Sequence, residues 1–427
     1  MSRLSAWRFV VVFGVVSLLA DVVYEGARSI TGPLLASLGA GAVVVGTVTG
    51  VGEAAALVLR LVSGTLTDRT RRFWAWTIAG YAVTVVAVPL LGVVGVLWAA
   101  AALVITERVG KAVRSPAKDT LLSHATAVTG RGRGFAVHEA LDQIGALLGP
   151  LVVGGMLALT GGDYGPALAV LAVPGVGVMA LLLWLRARVP DPAAYEEERP
   201  EHSPDGAPEP PPEQAPDAAP TPSLPDGAAR RPGWLVALPR VFWVYAAFSA
   251  LAILGFATFG LVSFHMVETD VVPVAWVPVV YAAAMVADAL AAVASGWAYD
   301  RVGGARVLVV VPVLTVAATA LAFGGTLAAV LAGTMLWGAA LGIQESTMRA
   351  VVADLVPTRR RATAYGLYAA VVGGAAAVGG AALGALYEAS VGTLVAGVAV
   401  VEALALVLLA ATYRRQARSA SEPGSRL

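Results

Sequence analysis

Ser63-Gly-Thr-Leu-Thr-Asp-Arg-Thr-Arg-Arg72 is a short charged stretch with an apolar run on either side. Its position predicts a tight hinge between two hydrophobic helices. Much later the chain writes it again as Ser295-Gly-Trp-Ala-Tyr-Asp-Arg-Val-Gly-Gly-Ala-Arg306, in the same setting. A Gly-x-x-x-Asp-Arg turn with trailing arginine, once per half, is what a duplicated membrane bundle presents. The rest of the chain reads outward from these two hinges as two copies of one bundle.

Composition agrees. Hydrophobic residues make up 58% of the 427 and charged residues 13%, with a mean hydropathy of +0.77. A soluble protein carries about a quarter charged residues. The apolar residues fall in blocks of about 20 or more, enough to cross a bilayer as helices, without the period-two alternation of barrel strands. The expected fold is an all-α polytopic membrane protein. A net charge of +1 gives no reason to expect a nucleic-acid partner. The absence of Cys removes disulfides, thiol catalysis and thiolate metal sites. The first apolar run is too long for a signal peptide and lacks a small-residue cleavage pattern, so it is expected to remain as a helix.

The apolar blocks fall at about 8–36, 42–66, 73–94, 96–115, 133–158 and 164–187, then 240–266, 274–299, 305–324, 326–349, 363–388 and 391–412. The division expected is a six-helix bundle over 1–189, a linker over 190–238, and a second bundle with its tail over 239–427. The linker holds roughly half of the chain's 25 prolines and no apolar periodicity, so it is expected to be disordered.

Arg69, Arg71 and Arg72 lie at the 2–3 turn, and Arg114, Lys118, Arg131 and Arg133 at the 4–5 turn. Arg301 and Arg306 follow block 8, and Arg359, Arg360 and Arg361 follow block 10. The opposite turns carry no Lys or Arg, which predicts that the linker and both termini are cytoplasmic. Tryptophans near block ends, Trp7, Trp74, Trp234 and Trp276, read as interface anchors.

Twelve helices as six plus six, a long central linker and the hinge together resemble the major facilitator superfamily. Gly64, Leu66, Asp68, Arg69 and Arg72 match that family's helix 2–3 signature, and Asp300, Arg301, Gly303 and Arg306 its weaker echo. Arg71 stands where the family usually has Gly. Arg108-Val-Gly110 resembles a signature of proton-coupled members. Gly145-Ala-Leu-Leu-Gly149-Pro150 with Gly154 resembles the helix-5 signature of antiporters; helix 5 is also rich in the small residues that let backbones approach. The resemblance implies two pseudo-symmetric bundles rocking about a midplane cavity lined by helices 1, 4, 7 and 10. It also implies that Asp68 meets a neighbouring helix end and holds one of the alternating conformations.

Charges inside the apolar blocks mark the candidate site, since an ionised side chain facing lipid costs about 2.5–3.5 kcal/mol at mid-helix. Block 1 holds Asp21, Glu25 and Arg28 on one stripe. Block 2 holds Glu53 and Arg60, seven apart and co-facial. Block 4 holds Glu107, Arg108 and Lys111, and block 5 holds His138, Glu139, Asp142 and Gln143 within about one turn. In the second half Asp288, Gln344, Glu345, Arg349 and Glu402 stand out. Glu25–Arg28 and Glu345–Arg349 each have the spacing of an ion pair; Trp337 and Tyr281 are placed to pack in the core or line a pocket.

No phosphate-binding loop is present, so transport is expected to be gradient-driven and to use no cofactor. The expected function is proton-coupled export of small organic compounds by a monomer in the cell membrane. The carboxylates would carry the proton. Alternatives are a metal cation, an organic anion met by Arg28, Arg60 and Arg108, or a polytopic enzyme using His138, Glu139 and Asp142 as acid and base.

Overall fold

The computed structural model describes residues 4–197, 238–357 and 360–421. Among the described residues every regular element is helical, as expected where a backbone must satisfy its own polar groups away from water. The first half holds α1 (Ala6–Ser37), α2 (Ala42–Thr70), α3 (Phe73–Leu91), α4 (Leu97–Thr129) and α5 (Arg131–Leu159). Its sixth crossing is broken into α6 (Tyr164–Ala169) and α7 (Ala172–Arg188), and a short α8 (Ala194–Glu197) follows. The second half opens with another broken crossing, α9 (Arg240–Leu254) and α10 (Phe259–Glu268). Then come α11 (Val277–Val302), α12 (Gly304–Leu308), α13 (Val310–Ala322), α14 (Leu327–Leu355), α15 (Arg361–Ala389) and α16 (Val391–Ser421).

Ten of these crossings are long and apolar enough to span a membrane. The remaining two are α4, whose Glu107, Arg108, Lys111, Arg114, Lys118 and Asp119 depress its hydropathy, and the shorter α12–α13 pair. The chain is a multi-pass membrane protein with twelve crossings in two sets of six. Side-chain caps mark several helix starts: Ser5 accepts from the Arg8 N–H at α1, Asp163 from Gly165 at α6, and Thr326 from Ala329 at α14. Each satisfies a backbone N–H that the first turn leaves open.

Three boundaries differ from the expectation. Ser63–Thr70 is the last two turns of α2 rather than a turn, and only Arg71 and Arg72 leave the helix. Arg71 caps it at φ 51, the left-handed region. The echo behaves alike: Asp300 and Arg301 are still in α11, and Gly303 turns the chain at φ 83. Block 4 does not end at 115. The helix continues to Thr129, so Arg114 and Lys118 lie inside the bundle, not in the 4–5 turn. Finally, the first residues of the expected linker are ordered: Tyr195 of α8 is buried, packs at a tilt against Phe9 with ring centroids 5.9 Å apart and donates to the Leu4 carbonyl at 2.7 Å. Residues 198–237 of the linker, with Trp234, lie outside the described residues. Trp7 and Trp276 are exposed as interface anchors would be, whereas Trp74 is buried and donates to the Val189 carbonyl at 3.1 Å.

The two halves meet closely at one end. A Cβ on Gly46 of α2 would lie 2.1 Å from the Gly380 carbonyl oxygen of α15, and one on Gly380 2.1 Å from that of Gly46. Only glycine on both sides lets these backbones touch. Beside them Val43 donates its N–H to the Glu388 carboxylate at 3.0 Å, and Thr49 bonds Thr258 at 2.7 Å. Within the first half, α5 packs on α1 through Gly145 and Gly149, whose added Cβ atoms would meet the Leu18 and Val22 carbonyls at 2.3 and 2.5 Å. Gly154 faces the other way, toward the Ala275 carbonyl before α11. Gly64 has ordinary contact with Pro116 at 3.7 Å, so space alone does not require a glycine there.

Candidate substrate cavity and its charge network

Beyond the sealed end the halves part around a cavity of about 390 Å3, within the size range of small-ligand sites. Arg28 of α1, Glu53 and Arg60 of α2, and Lys111 of α4 border it from the first half. Phe256 and Thr258 at the break between α9 and α10, Trp337 and Gln344 of α14, and Tyr365 and Tyr368 of α15 border it from the second. Spans 1, 4, 7 and 10 contribute as expected of the family, but spans 2 and 11 supply walls too. The cavity extends toward the arginine-rich ends of α2 and α14, where Glu345 and Arg349 are exposed.

Behind the first-half wall lies a continuous charge network. Arg28 donates to Glu53 at 2.8 Å and lies 3.5 Å from Glu25. Glu53 lies 3.6 Å from Arg108, which lies 3.4 Å from Glu107. The Tyr281 hydroxyl of α11 donates to the other Glu25 oxygen, so the second half is tied into this network. Lys111 donates to the Tyr24 hydroxyl at 3.2 Å. Three of these acids and two arginines cluster because each alone would leave a buried charge unpaired, a cost of several kcal/mol per ion.

Asp21 does not join them. It is buried beside the α1–α5 contact, with its Cβ 2.9 Å from where a Gly145 Cβ would be, one turn after Ser17, which reaches a second cluster around His138. There Lys118 lies 3.6 Å from Asp142 and 3.1 Å from His138, and Ser17 bonds His138 at 3.3 Å. Glu107 is likewise buried and does not border the cavity. Glu53 is thus the acid of the network that reaches the cavity wall. The block-5 residues split across their helix: His138 and Asp142 turn inward, whereas Gln143 donates to Glu139 at 3.3 Å on the outer side. That division, and the Lys118 ammonium already seated between His138 and Asp142, disfavour a metal cation there; among the described residues no acidic or histidine cluster could hold one.

In the second half Gln344 lines the cavity with both amide atoms buried and unpartnered. Glu345 and Arg349 are both exposed and form no ion pair with each other within 4.0 Å, a correction to the spacing argument. Asp288 is buried with one carboxylate oxygen unpartnered. Trp337 lines the cavity while donating to the Ala257 carbonyl at 2.8 Å across the break in span 7. Glu402 of α16 is buried away from the cavity against Gly255, neither oxygen partnered. In the signature motifs Asp68, Arg69, Asp300 and Arg301 are exposed, and Arg301 stacks on Trp297 at 3.6 Å. Sequence reasoning missed Phe256, Thr258, Tyr365 and Tyr368, whose aromatic and hydroxyl character is common in membrane helices. It placed Lys118 in a turn because the charges of α4 hid the end of that helix.

A twelve-crossing helical protein whose halves enclose a polar central cavity belongs to the class of secondary transporters. The family model of the Major Facilitator Superfamily matches residues 13–281 and 268–426, and the chain belongs to that family; it is a transporter of small molecules, not an enzyme. An uncharacterized protein of Mycobacterium tuberculosis is 62% identical over 406 residues, covering 95% of this chain and 93% of its own length. The fold is similar to that of a mutant of the nucleoside transporter NupG, with a TM-score of 0.74 and 14% identity over 95% of this chain and all of that one. It is also similar to a bacterial homolog of the human lysosomal transporter Spinster in an inward-facing and occupied conformation. That match has a TM-score of 0.66 and 14% identity over 98% of both chains.

Proposed function

We propose that this protein exports small organic compounds in exchange for protons, by alternating access of two bodies formed by residues 1–189 and 239–427. The observation that carries the proposal is the placement of Glu53. It borders the cavity while accepting from Arg28 and lying within ion-pair distance of Arg108. A proton on this carboxylate weakens its hold on both arginines, whereas a substrate group that donates a hydrogen bond to the same carboxylate oxygens keeps the proton off. Proton and substrate then favour different arrangements of one network, which is the differential affinity a coupled cycle requires. The Tyr281–Glu25 bond carries that change into the second half. With both termini cytoplasmic, the cavity faces the cytoplasm here, the side on which an exporter loads. The helix-5 pattern of Gly145, Gly149 and Pro150 supports exchange over co-transport.

The test is reconstitution into liposomes under an imposed pH gradient, following a panel of amphiphilic compounds together with proton flux. Substrate-dependent proton movement that Glu53→Gln abolishes, with substrate–substrate exchange retained, is the expected result. Proton flux indifferent to every compound tested would sink the coupling.

A further inference from the structure

The two walls of the cavity differ in kind. The second half offers an apolar and aromatic face from Phe256, Trp337, Leu341, Met348 and Tyr368. Facing it are Arg28, Arg60 and Lys111, with Arg349 joining at the mouth; the lining acids are Glu53 and Glu345. Four lining cations thus stand against two acids, and Glu53 is already engaged by Arg28 and Arg108. Among the described residues the Arg60 guanidinium has the Ser115 hydroxyl at 3.3 Å as its hydrogen-bond partner, and its Nε is buried without an acceptor. Among the described residues Lys111 donates to the neutral Tyr24 hydroxyl and lies over that ring, with no carboxylate within ion-pair distance. A buried cationic N–H with no acceptor is costly, and an anion in the cavity relieves it.

Arg60 of α2 and Arg349 of α14 come from opposite halves and border the same cavity. Midway along the cavity Gln344, 4% exposed, presents an amide nitrogen and oxygen that no protein group satisfies. Buried amides are nearly always paired, so this one is left for a ligand that offers both an acceptor and a donor.

We propose, resting on the transport reading above, that the substrate is an amphipathic organic anion whose acidic group sits between Arg60 and Arg349 and whose apolar body lies against Phe256, Trp337 and Tyr368. The Gln344 carboxamide holds a polar group between the two. An acid bridging arginines from both halves replaces repulsion with charge-assisted hydrogen bonds, so the loaded mouth closes and the empty one stays open. A soluble aromatic acid fits the ring-lined wall; an acyl chain acid shares the chemistry.

Equilibrium binding to the full-length protein in detergent, with matched transport in liposomes, tests this. The probes are indole-3-acetate, indole-3-acetamide and tryptamine, which share one ring and differ in charge, together with decanoate. Indole-3-acetate is expected to bind at least tenfold tighter than the amide or the amine. Arg60→Gln and Arg349→Gln should each weaken it tenfold or more, Arg349→Lys should retain most of it, and Gln344→Glu should abolish it. Arg349 is exposed, so its variants test binding and not folding, and the comparison of probes needs no variant at all. Tryptamine binding as tightly as the acid, indifference to Arg349→Gln, or failure of both acids to bind overturns the proposal. Decanoate binding alone keeps the anion site and assigns it to acyl acids. Acid that binds without crossing the bilayer overturns the transport reading and keeps the site; movement of tryptamine alone does the reverse.

Discussion

The hydroxyl of Tyr281 on α11 donates its proton to the carboxylate of Glu25 on α1, a polar bond between the two halves beside the network that reaches the cavity. Any motion that parts α1 from α11 must break it. A hydrogen bond to a charged group contributes about 1.5–3 kcal/mol, enough to bias two conformations of similar energy. Tyr281→Phe should therefore raise the population with the sealed end open. Because the chain has no Cys, a spin-label pair at Ser37→Cys and Thr269→Cys reports the motion without background. An unchanged distance distribution would contradict the expectation.

The glycine contact of α2 with α15 leaves no room for a side chain, with a Gly46 Cβ 2.1 Å from the Gly380 carbonyl. Gly46→Val should force the helices apart at a cost of about 1–3 kcal/mol, the range for overpacking. A thiol at Thr258→Cys, on the cavity wall, should then react with a membrane-impermeant maleimide added from the sealed side. The same thiol with Gly46 intact should stay protected.

Glu53 separates Arg28 from Arg108, at 2.8 and 3.6 Å. Removing its charge leaves two guanidiniums facing one another, and breaking a buried pair from one side costs about 3–5 kcal/mol. Glu53→Gln should lower the thermal midpoint in detergent, and adding Arg28→Gln should recover part of the loss. Additive losses in the double variant would show that the two do not act as a pair.

Arg71 holds a left-handed backbone at φ 51, which costs a non-glycine residue roughly 1–2 kcal/mol. Arg71→Gly should raise the midpoint slightly, since a helix C-cap of this geometry suits glycine. Arg71→Ala, which removes the same charge but keeps the strain, should not.

Glu402 sits 1% exposed with neither oxygen partnered and outside the cavity lining. An unpaired buried polar group costs about 1–3 kcal/mol. Glu402→Leu should stabilise the protein and leave transport intact; loss of transport would give this carboxyl a role that its position does not suggest.

Composition and block length were enough to determine the twelve crossings in two sets of six, because the bilayer demands about 20 apolar residues per helix whatever they pack against. The charges of α1, α2 and α4 were legible for the same reason, each being too costly to leave facing lipid. Which of them meet was decided only by tertiary packing. Asp21 and Glu25 are one turn apart, yet the first lies against α5 at Gly145 and the second reaches Tyr281 and Arg28. A four-residue step on a helix turns a side chain by about 40° beyond a full turn and lifts it about 6 Å, so different neighbours claim each carboxylate. The aromatic wall of Phe256, Trp337 and Tyr368 had no signal of its own, since the same side chains pack helices everywhere else. It became a wall only where spans 7, 10 and 11 border the cavity.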